Sequence, residues 1–318
     1  MGPILFLCYI NDFWASTRLF SVLFADDTTC LSKGKNLKEI CTFVNIELKK
    51  IANWFLSNKM AVNTTKTKFI IFRNRGAVVR EEDCNIVFNA NIIGEPEMPN
   101  LITPIDRIHK AGNESSFKLL GVLFDEFLSF DQHTTHLCGK ISRSLYAIRK
   151  IKNLLPQNTL KTLYFALIHS YLSYCINIYS CTSQQNIKRI FLKQKEAIRV
   201  IANANYRDHT PPLFKNLKIL PLEKMIELSK LKFMHDYVFD RLPLSFAETW
   251  VTNRQRNPLN NLRNADLYYQ PQPNFELFRR FPLYTFPLAW NAADDNKYNP
   301  NRFTFVRSQK DRMFENLS

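Results

Sequence analysis

Two adjacent aspartates, Asp26 and Asp27, stand inside the otherwise apolar run SVLFADDTTCL of residues 21–31. Neighbouring carboxylates repel each other and lose hydration when buried, so this arrangement needs either an exposed turn or a bound cation. The flanking segments 22–25 and 28–31 are strand-like, which makes the two aspartates the predicted loop of a hairpin. A tip of this kind can hold a divalent metal. The alternative is a solvated turn without a ligand, because aspartate is common in turns.

Helix and strand patterns follow this hairpin along the chain. A short helix is predicted over residues 3–13, and apolar residues at steps of three and four predict an amphipathic helix over 36–57. Strands are predicted over 60–62 and 68–72, joined by a polar turn. Residues 74–116 are predicted to form a strand pair with a long surface loop. A hairpin followed by a helix and strands is half of a split βαβ sheet, so the predicted fold class is α+β.

The second half of the chain is predicted to be largely helical. A hairpin-like unit over residues 117–130 precedes Asp131, a predicted N-cap for a helix that begins at His133. Further helices are predicted over 159–179, 183–202 and 222–239, the first of them central because it is apolar nearly all round. From residue 243 onward the composition shifts to Pro, Asn, Arg and aromatics, which predicts a partly irregular C-terminal tail.

Positive charge is concentrated in these helices. Between residues 139 and 203 the chain has eleven lysines and arginines and one acidic residue, so this segment carries +10 of the net +15. Such an excess indicates a polyanionic partner, nucleic acid in preference to an acidic membrane surface. The alternative is an ordinary solvated helix face.

The composition disfavours several other classes of protein. Only 7 glycines occur, without a G-x-G-x-x-G or Walker string, so a glycine-rich phosphate loop is excluded. Seven scattered cysteines are typical of reduced intracellular thiols. Residues 1–10 make a poor signal peptide, and residues 163–181 are uncharged but too rich in polar side chains for a membrane span. We therefore expect an intracellular protein, nuclear or cytoplasmic, that is not secreted and has no membrane partner.

Four strings in order, GPILFLCYINDF, LFADDTTCL, ANWFLSNKMAVNTTKTKFIIF and FKLLGVLFDEFLSF, resemble the reverse transcriptase of non-LTR, jockey-like retrotransposons. The resemblance spans roughly residues 2–240, and FELFRRFPLYTFPLAWN in the tail also resembles the carboxyl end of such elements. It implies a partial right-hand polymerase palm over residues 1–132, a helical basic thumb over 133–240 and a C-terminal tail over 241–318. The implied activity is RNA-directed DNA polymerisation from an RNA template, a DNA primer and dNTPs.

The resemblance also implies roles for single residues. Asp26 and Asp27 match the paired aspartates that hold two Mg2+ ions, which activate the primer 3′-hydroxyl and stabilise the leaving pyrophosphate. Lys66, in the motif N-x-x-K-T, would approach the triphosphate; the alternative is a solvated turn lysine. Leu120 and Gly121 match the hairpin that steadies the primer end, where glycine permits close backbone approach. The residues that would bind nucleic-acid phosphates on the thumb helices are Lys140, Arg143, Lys188, Lys195 and Arg199.

The sequence also departs from the family pattern. Met1 falls inside a motif that should begin with Gln-Gly, and the fingers, the palm strand with a third metal-binding aspartate and the upstream endonuclease have no counterpart in these residues. We therefore expect weak Mg2+ binding and no polymerisation by this chain alone. Two alternatives stay open: a binding module that grips RNA or DNA without chemistry, and an inert product of a decaying element.

Overall fold

The computed structural model describes residues 2–90, 101–109, 114–258 and 263–317. The chain divides into two compact units. Unit 1 comprises Met1–Phe117 with Asp125–Phe127, and unit 2 comprises Lys118–Phe124 with Leu128–Ser318. Both helices and strands are present, so the α+β mixture is confirmed, whereas the palm, thumb and tail limits at residues 132 and 240 stay predictions.

Unit 1 combines helices with short strands. Its elements are α1 (Gly2–Ile10), a 3-10 turn (Phe13–Ser16), β1 (Phe20–Phe24), β2 (Asp27–Leu31), α2 (Leu37–Ser57), β3 (Lys68–Ile70), a 3-10 turn (Glu81–Asp83), β4 (Val87–Ala90), β5 (Leu101–Pro104) and β6 (Asp106–Ile108). The ladders β1–β2 and β4–β5 are antiparallel, and β3–β6 is parallel. The predicted strand pair within residues 74–116 is thus confirmed, while the middle of its loop, residues 91–100, lies outside the described residues.

The sequence pattern predicts that the strands join into one split sheet. In the described residues they form separate two-stranded ladders instead. Residues 60–62 are not a strand. The chain leaves α2 through Lys59, whose φ of +53° turns it away from the helix axis, and enters a tight turn at Asn63. This leaves residues 60–62 without a partner for ladder hydrogen bonds.

The long helix α2 has the boundaries that its apolar spacing predicts. The side chain of Asn36 accepts a hydrogen bond from the Lys38 N–H at 3.1 Å, which caps the N-terminus. Cys41 and Ile51 lie on its buried face and join Ile10 and Phe13 in the core of unit 1. α2 therefore packs against the segment that precedes the β1–β2 hairpin.

The regular secondary structure of unit 2 is mostly helical. After the hairpin of β7 (Phe117–Leu119) and β8 (Val122–Phe124) come α3 (Asp131–Ile151), α4 (Gln157–Tyr164), a π-helical turn (Phe165–His169), α5 (Ser170–Ser173), α6 (Ile176–Tyr179), α7 (Gln184–Ile201), α8 (Pro211–Leu217), α9 (Leu222–Val238), α10 (Asn253–Arg256), α11 (Pro282–Asn291) and α12 (Arg302–Glu315). The helices predicted over residues 183–202 and 222–239 are confirmed as α7 and α9. None of the helices in the described part of the chain has the length and hydropathy needed to cross a bilayer.

Two details of the helix prediction are wrong. Asp131 is the first residue of α3, after a left-handed Phe130 (φ +57°), and its carboxylate accepts a hydrogen bond from Asn186 of α7 at 2.6 Å. The helix predicted over residues 159–179 contains a π-helical turn and breaks at Tyr174 and Cys175, where Cys175 has φ +51°. Each deviation is accompanied by a tertiary hydrogen bond, of Asp131 to α7 and of Tyr174 to the β7–β8 turn.

The C-terminal tail is packed into unit 2. Phe286 and Trp290 of α11 and Phe305 and Met313 of α12 are buried in the same core as α3, α7 and α9. Phe305 stacks on the buried His235 of α9 with ring centroids 4.4 Å apart. Large aromatic rings thus bring this segment into the core although its hydrophobic periodicity is weak.

Candidate functional site

The two aspartates lie at the tip of the β1–β2 hairpin, but the two-residue loop is shifted by one position from the predicted loop. Phe24 pairs with Asp27 across the ladder, so the loop is Ala25 and Asp26, and Asp27 is the first residue of β2. Ala25 adopts φ +52°, as tight two-residue hairpin loops require. The prediction placed Asp26 and Asp27 in the loop; cross-strand pairing shifts that loop towards the N-terminus by one position.

Both carboxylates are exposed. Residues paired across an antiparallel ladder share a face, so Asp27 lies on the face of Phe24, and Leu23 lies with Thr28 on the other. Leu23 and Cys30 pack against the core of unit 1, and this burial raises the pKa of the Cys30 thiol. The hairpin is thus anchored by one face and presents its acidic end and its second face to solvent.

A buried carboxylate on α2, which the sequence reasoning missed, fixes the chain entering this hairpin. Glu47 is 1% exposed and accepts hydrogen bonds from the Thr17 hydroxyl at 2.9 Å, the Arg18 N–H at 2.7 Å and the Lys50 ammonium at 2.6 Å. Burial alone raises the pKa of Glu47, but these hydrogen bonds outweigh burial and hold the pKa below its usual range. Because Thr17 and Arg18 lie three and two residues before the start of β1, Glu47 positions the chain that enters the hairpin.

Lys66 lies in a turn built by Asn63. The Asn63 side-chain oxygen accepts hydrogen bonds from the Thr65 hydroxyl at 2.7 Å and the Lys66 N–H at 3.1 Å, and its carbonyl accepts from the Thr67 N–H at 3.1 Å. This Asx turn explains the asparagine and fixes the backbone of Lys66 while its side chain stays exposed. Within the described residues no ion pair joins Lys66 to Asp26 or Asp27, so the structure does not bring the three side chains into contact.

The two carboxylates at the tip of the β1–β2 hairpin determine which metal this tip can bind. Among the described residues, no group of three or more His, Cys, Asp and Glu side chains could hold a metal ion. Mg2+ prefers oxygen donors and is commonly held by one or two carboxylates together with waters and substrate phosphates. Asp26 and Asp27 fit that partial donor set and leave the remaining positions to a substrate.

The β7–β8 turn in unit 2 is held by Tyr174. Leu120 and Gly121 both have positive φ, +45° and +88°, as a tight hairpin turn with two left-handed residues requires. The Tyr174 hydroxyl donates a hydrogen bond to the Leu120 carbonyl at 2.5 Å, and a Cβ at Gly121 would lie 3.3 Å from the Tyr174 ring. The helix break at Tyr174 is therefore what places the ring against this turn.

The basic helices α3 and α7 run side by side. Asp131 and Asn186 are joined near their N-termini, Arg149 pairs with Glu196, and Lys152 bonds Asn203 near their C-termini, so the helices are parallel. The contact is lined by cations that the sequence reasoning counted but did not assign to the site, namely Arg149, Arg189 and Lys193.

The five predicted phosphate-binding residues lie in two groups. Lys140 and Arg143 are on α3, where the Lys140 ammonium lies 5.1 Å from the Tyr171 ring. Lys188, Lys195 and Arg199 are spaced by seven and four residues, which places them on one face of α7. Arg199 donates to the Asp208 carbonyl at 3.0 Å and 3.1 Å, and Lys195 lies 4.5 Å from the Phe191 ring, so both are oriented by neighbours.

Two histidines of α3 have lowered pKa values, chiefly because they are buried and secondly because cations lie nearby. Burial, followed by the charges of Lys140, Lys118 and Arg143, lowers the pKa of His136. Burial, His136 and Lys140 lower the pKa of the buried His133 to about 4. His133 is thus a neutral residue of the core, and the neighbouring lysines and arginine add to the effect of burial at His136.

The comparisons with known proteins agree with the resemblance in the sequence. The chain is similar to RNA-directed DNA polymerases of mobile elements, which supports the reverse transcriptase-like character that the resemblance predicts. Two relatives carry the name "RNA-directed DNA polymerase from mobile element jockey". The Drosophila melanogaster protein is 22% identical over 247 residues, covering 74% of this chain and 24% of the relative. The Drosophila funebris protein is 22% identical over 288 residues, covering 86% and 28%.

The chain therefore spans about a quarter of the length of the curated relatives it matches. No protein-family model matches it, and no solved structure matches it.

Proposed function

We propose that this chain contributes two parts of an RNA-directed DNA polymerase: a carboxylate tip that holds Mg2+ beside a primer end, and basic helices that hold the template and primer backbones. The observation that carries the proposal is the exposed Asp26-Asp27 pair at the end of a core-anchored hairpin, in a chain similar to the jockey polymerases.

Each residue has a role in this proposal. Asp26 and Asp27 would hold the metal, which would offset the negative charge of the reacting phosphate and make the primer hydroxyl more acidic. Lys66, on its Asx turn, binds the triphosphate of the incoming dNTP. The Leu120 and Gly121 backbone lies against the primer end, and the Tyr174 ring, which packs on the side where a Gly121 Cβ would point, holds this turn in place. Lys140, Arg143 and the three cations on α7 bind phosphates without reading bases.

We further propose that this chain alone binds a primer–template without extending it. Two carboxylates, with no third acid grouped beside them in the described residues, hold metal weakly and leave its position to the substrate. The basic helices depend on none of these acids, because they stand on the core of unit 2.

Manganese binding followed by electron paramagnetic resonance tests the metal site. In the presence of dNTP and primer–template, the wild-type chain is expected to bind Mn2+, and Asp26→Asn with Asp27→Asn is expected to lose that binding. The matched control is Glu81→Gln with Glu82→Gln, which removes two adjacent exposed acids elsewhere in unit 1. Equal Mn2+ binding by the aspartate variant and the control would contradict the assignment.

The second candidate function, a binding module without chemistry, is favoured by the +10 charge of the segment between residues 139 and 203. Primer-extension assays with Mg2+ and an annealed RNA template and DNA primer separate it from a self-sufficient polymerase. We expect no extension, and unchanged primer–template affinity in the Asp26→Asn, Asp27→Asn variant. Extension that this variant abolishes would show that the chain is an active polymerase by itself.

A further inference from the structure

A pocket of unit 2 gathers three lysines without any carboxylate in its lining. This three-lysine pocket has a volume of about 270 Å3, and its cations are Lys218 at the end of α8, Lys232 of α9 and Lys310 of α12. No acidic residue lines it. Three segments far apart in sequence thus place like charges around one cavity, an arrangement that repels itself unless an anion is bound.

The three ammonium groups have no ion-pair partner in the described part of the chain. The carboxylate that acts electrostatically on Lys232 is Asp236, but Arg302 holds it at 2.8 Å and Arg241 lies 3.9 Å away. Burial, followed by Lys310 and Arg302, lowers the pKa of Lys232. The positive charge of the pocket is therefore not neutralised from within.

Apart from the lysines, the imidazole of His169 and two serines, Ser173 and Ser229, the walls of the pocket are apolar and aromatic. Phe165 and His169, both in the π-helical turn, line it with ring centroids 5.1 Å apart, and Phe165 is 41% exposed. Single π-helical turns are frequent at functional sites. Leu220, Met225 and Leu228 form the buried wall. An anion that fits this lining carries a flat or apolar body beside its charge.

We propose that the three-lysine pocket binds one nucleotide unit, with its phosphate between the lysines and its base against Phe165. The volume of about 270 Å3 lies just below the lower end of the range for ligand pockets, roughly 300 Å3, so the pocket is large enough for at most one nucleotide. The unit is either a free mononucleotide or one nucleotide of a single strand, and the two share this chemistry. The pocket contains none of the residues of the carboxylate tip or of the two phosphate-binding groups, so it extends the proposed function.

Fluorescence anisotropy with the full chain tests the proposal and separates the two sources. The probes are a fluorescent dATP analogue and a labelled six-nucleotide single strand, with pyrophosphate as competitor. The variant Lys218→Gln, Lys232→Gln, Lys310→Gln removes the lysines, and Lys33→Gln, Lys35→Gln, Lys49→Gln removes the same charge from exposed positions of unit 1.

We expect the pocket variant to bind at least one probe about tenfold more weakly than wild type, and the control variant to change by less than about twofold. Loss with the dATP probe identifies a free nucleotide as the ligand, and loss with the single strand alone identifies a strand. Phe165→Ala should weaken nucleotide binding but leave the inhibition constant of pyrophosphate unchanged, because pyrophosphate has no base to contact Phe165. Equal weakening in the pocket and control variants, or no binding of either probe to wild type, would overturn the proposal.

The imidazole of His169 gives a second readout in the unaltered pocket. Burial, followed by Lys310 and Lys232, lowers its pKa, so an anion among these lysines should raise that pKa. The measurement is an NMR titration with and without the bound probe, with the signal assigned by His169→Asn. A pKa unchanged by a saturating probe would place the ligand elsewhere.

Discussion

The two units rest on cores of very different size. In the described residues, the core of unit 2 contains 32 buried apolar side chains and that of unit 1 contains eight. Both units expose some large apolar groups; in unit 1 they lie on α1 and on the outer face of β1–β2 and include Ile4, Leu5 and Phe24 at 69%, 63% and 61%. The basic helices thus pack on the large core of unit 2, whereas the carboxylate tip is supported by the small core of unit 1 and by a few hydrogen bonds.

The largest effect is expected from the polar centre of unit 2. Gln194 is fully buried, donates to the Tyr164 hydroxyl and the Leu220 carbonyl at 2.9 Å each, and accepts from the Leu222 N–H at 2.7 Å. Gln194→Leu leaves these groups unpaired and should lower the free energy of unfolding by about 3 kcal/mol. Urea unfolding followed by tryptophan fluorescence measures this.

Leu192→Gln is the matched control, since Leu192 is 62% exposed on the same helix. It should change stability by less than about 0.5 kcal/mol. A loss under about 1 kcal/mol in Gln194→Leu would show that the buried network contributes little to unit 2.

A smaller effect is expected in unit 1 from Glu47→Gln, because the amide keeps one acceptor but loses the charge. The expected loss at pH 7 is about 2 kcal/mol. Since the pKa of Glu47 is lowered by folding, its contribution is present above the ordinary pKa and disappears as pH falls through the folded value. Unfolding of unit 1, followed by Trp54 fluorescence at pH 7 and pH 3, should show wild type approaching the variant at the lower pH. If the difference in stability between wild type and Glu47→Gln were the same at pH 7 and pH 3, the charge of Glu47 would have no role in stability.

The smallest effect is expected at two glycines of unit 2 that differ in backbone conformation and in surroundings. Gly121→Ala meets a positive φ and the Tyr174 ring, so it should destabilise the chain by about 1 kcal/mol. Gly139→Ala, inside α3 with nothing within 4 Å of its Cβ, should stabilise it by up to about 1 kcal/mol. Thermal unfolding of the two variants compares them directly, and shifts of the same sign would be inconsistent with strain at the turn.

The sequence predicts elements well where one local signal is sufficient. α2 and α7 are recognisable from amphipathic spacing and from their caps, Asn36 and Ser183. The hairpin at Asp26 is predicted but its loop is misplaced by one residue, because apolar side chains on both faces do not fix the register.

Features that depend on tertiary contacts are absent from the sequence pattern. The helix break at Tyr174 accompanies a hydrogen bond to Leu120, 54 positions away. In the sequence, Glu47 has the pattern of an ordinary helix-surface residue. Its role depends on hydrogen bonds from Thr17 and Arg18, which lie about 30 positions away. The lysines of the three-lysine pocket come from three helical segments, so no local motif contains them.

The most direct test of the account is the salt dependence of primer–template binding by the full chain. The logarithm of affinity should fall linearly with the logarithm of salt concentration. Replacing Lys188, Lys195 and Arg199 by Gln should reduce the magnitude of that slope by about two to three, since each lost phosphate contact removes about 0.7–0.9. The control Lys33→Gln, Lys35→Gln, Lys49→Gln should leave the slope within about 0.5 of wild type. An unchanged slope in the α7 variant, or an affinity indifferent to salt, would contradict the assignment of these helices as the nucleic-acid grip.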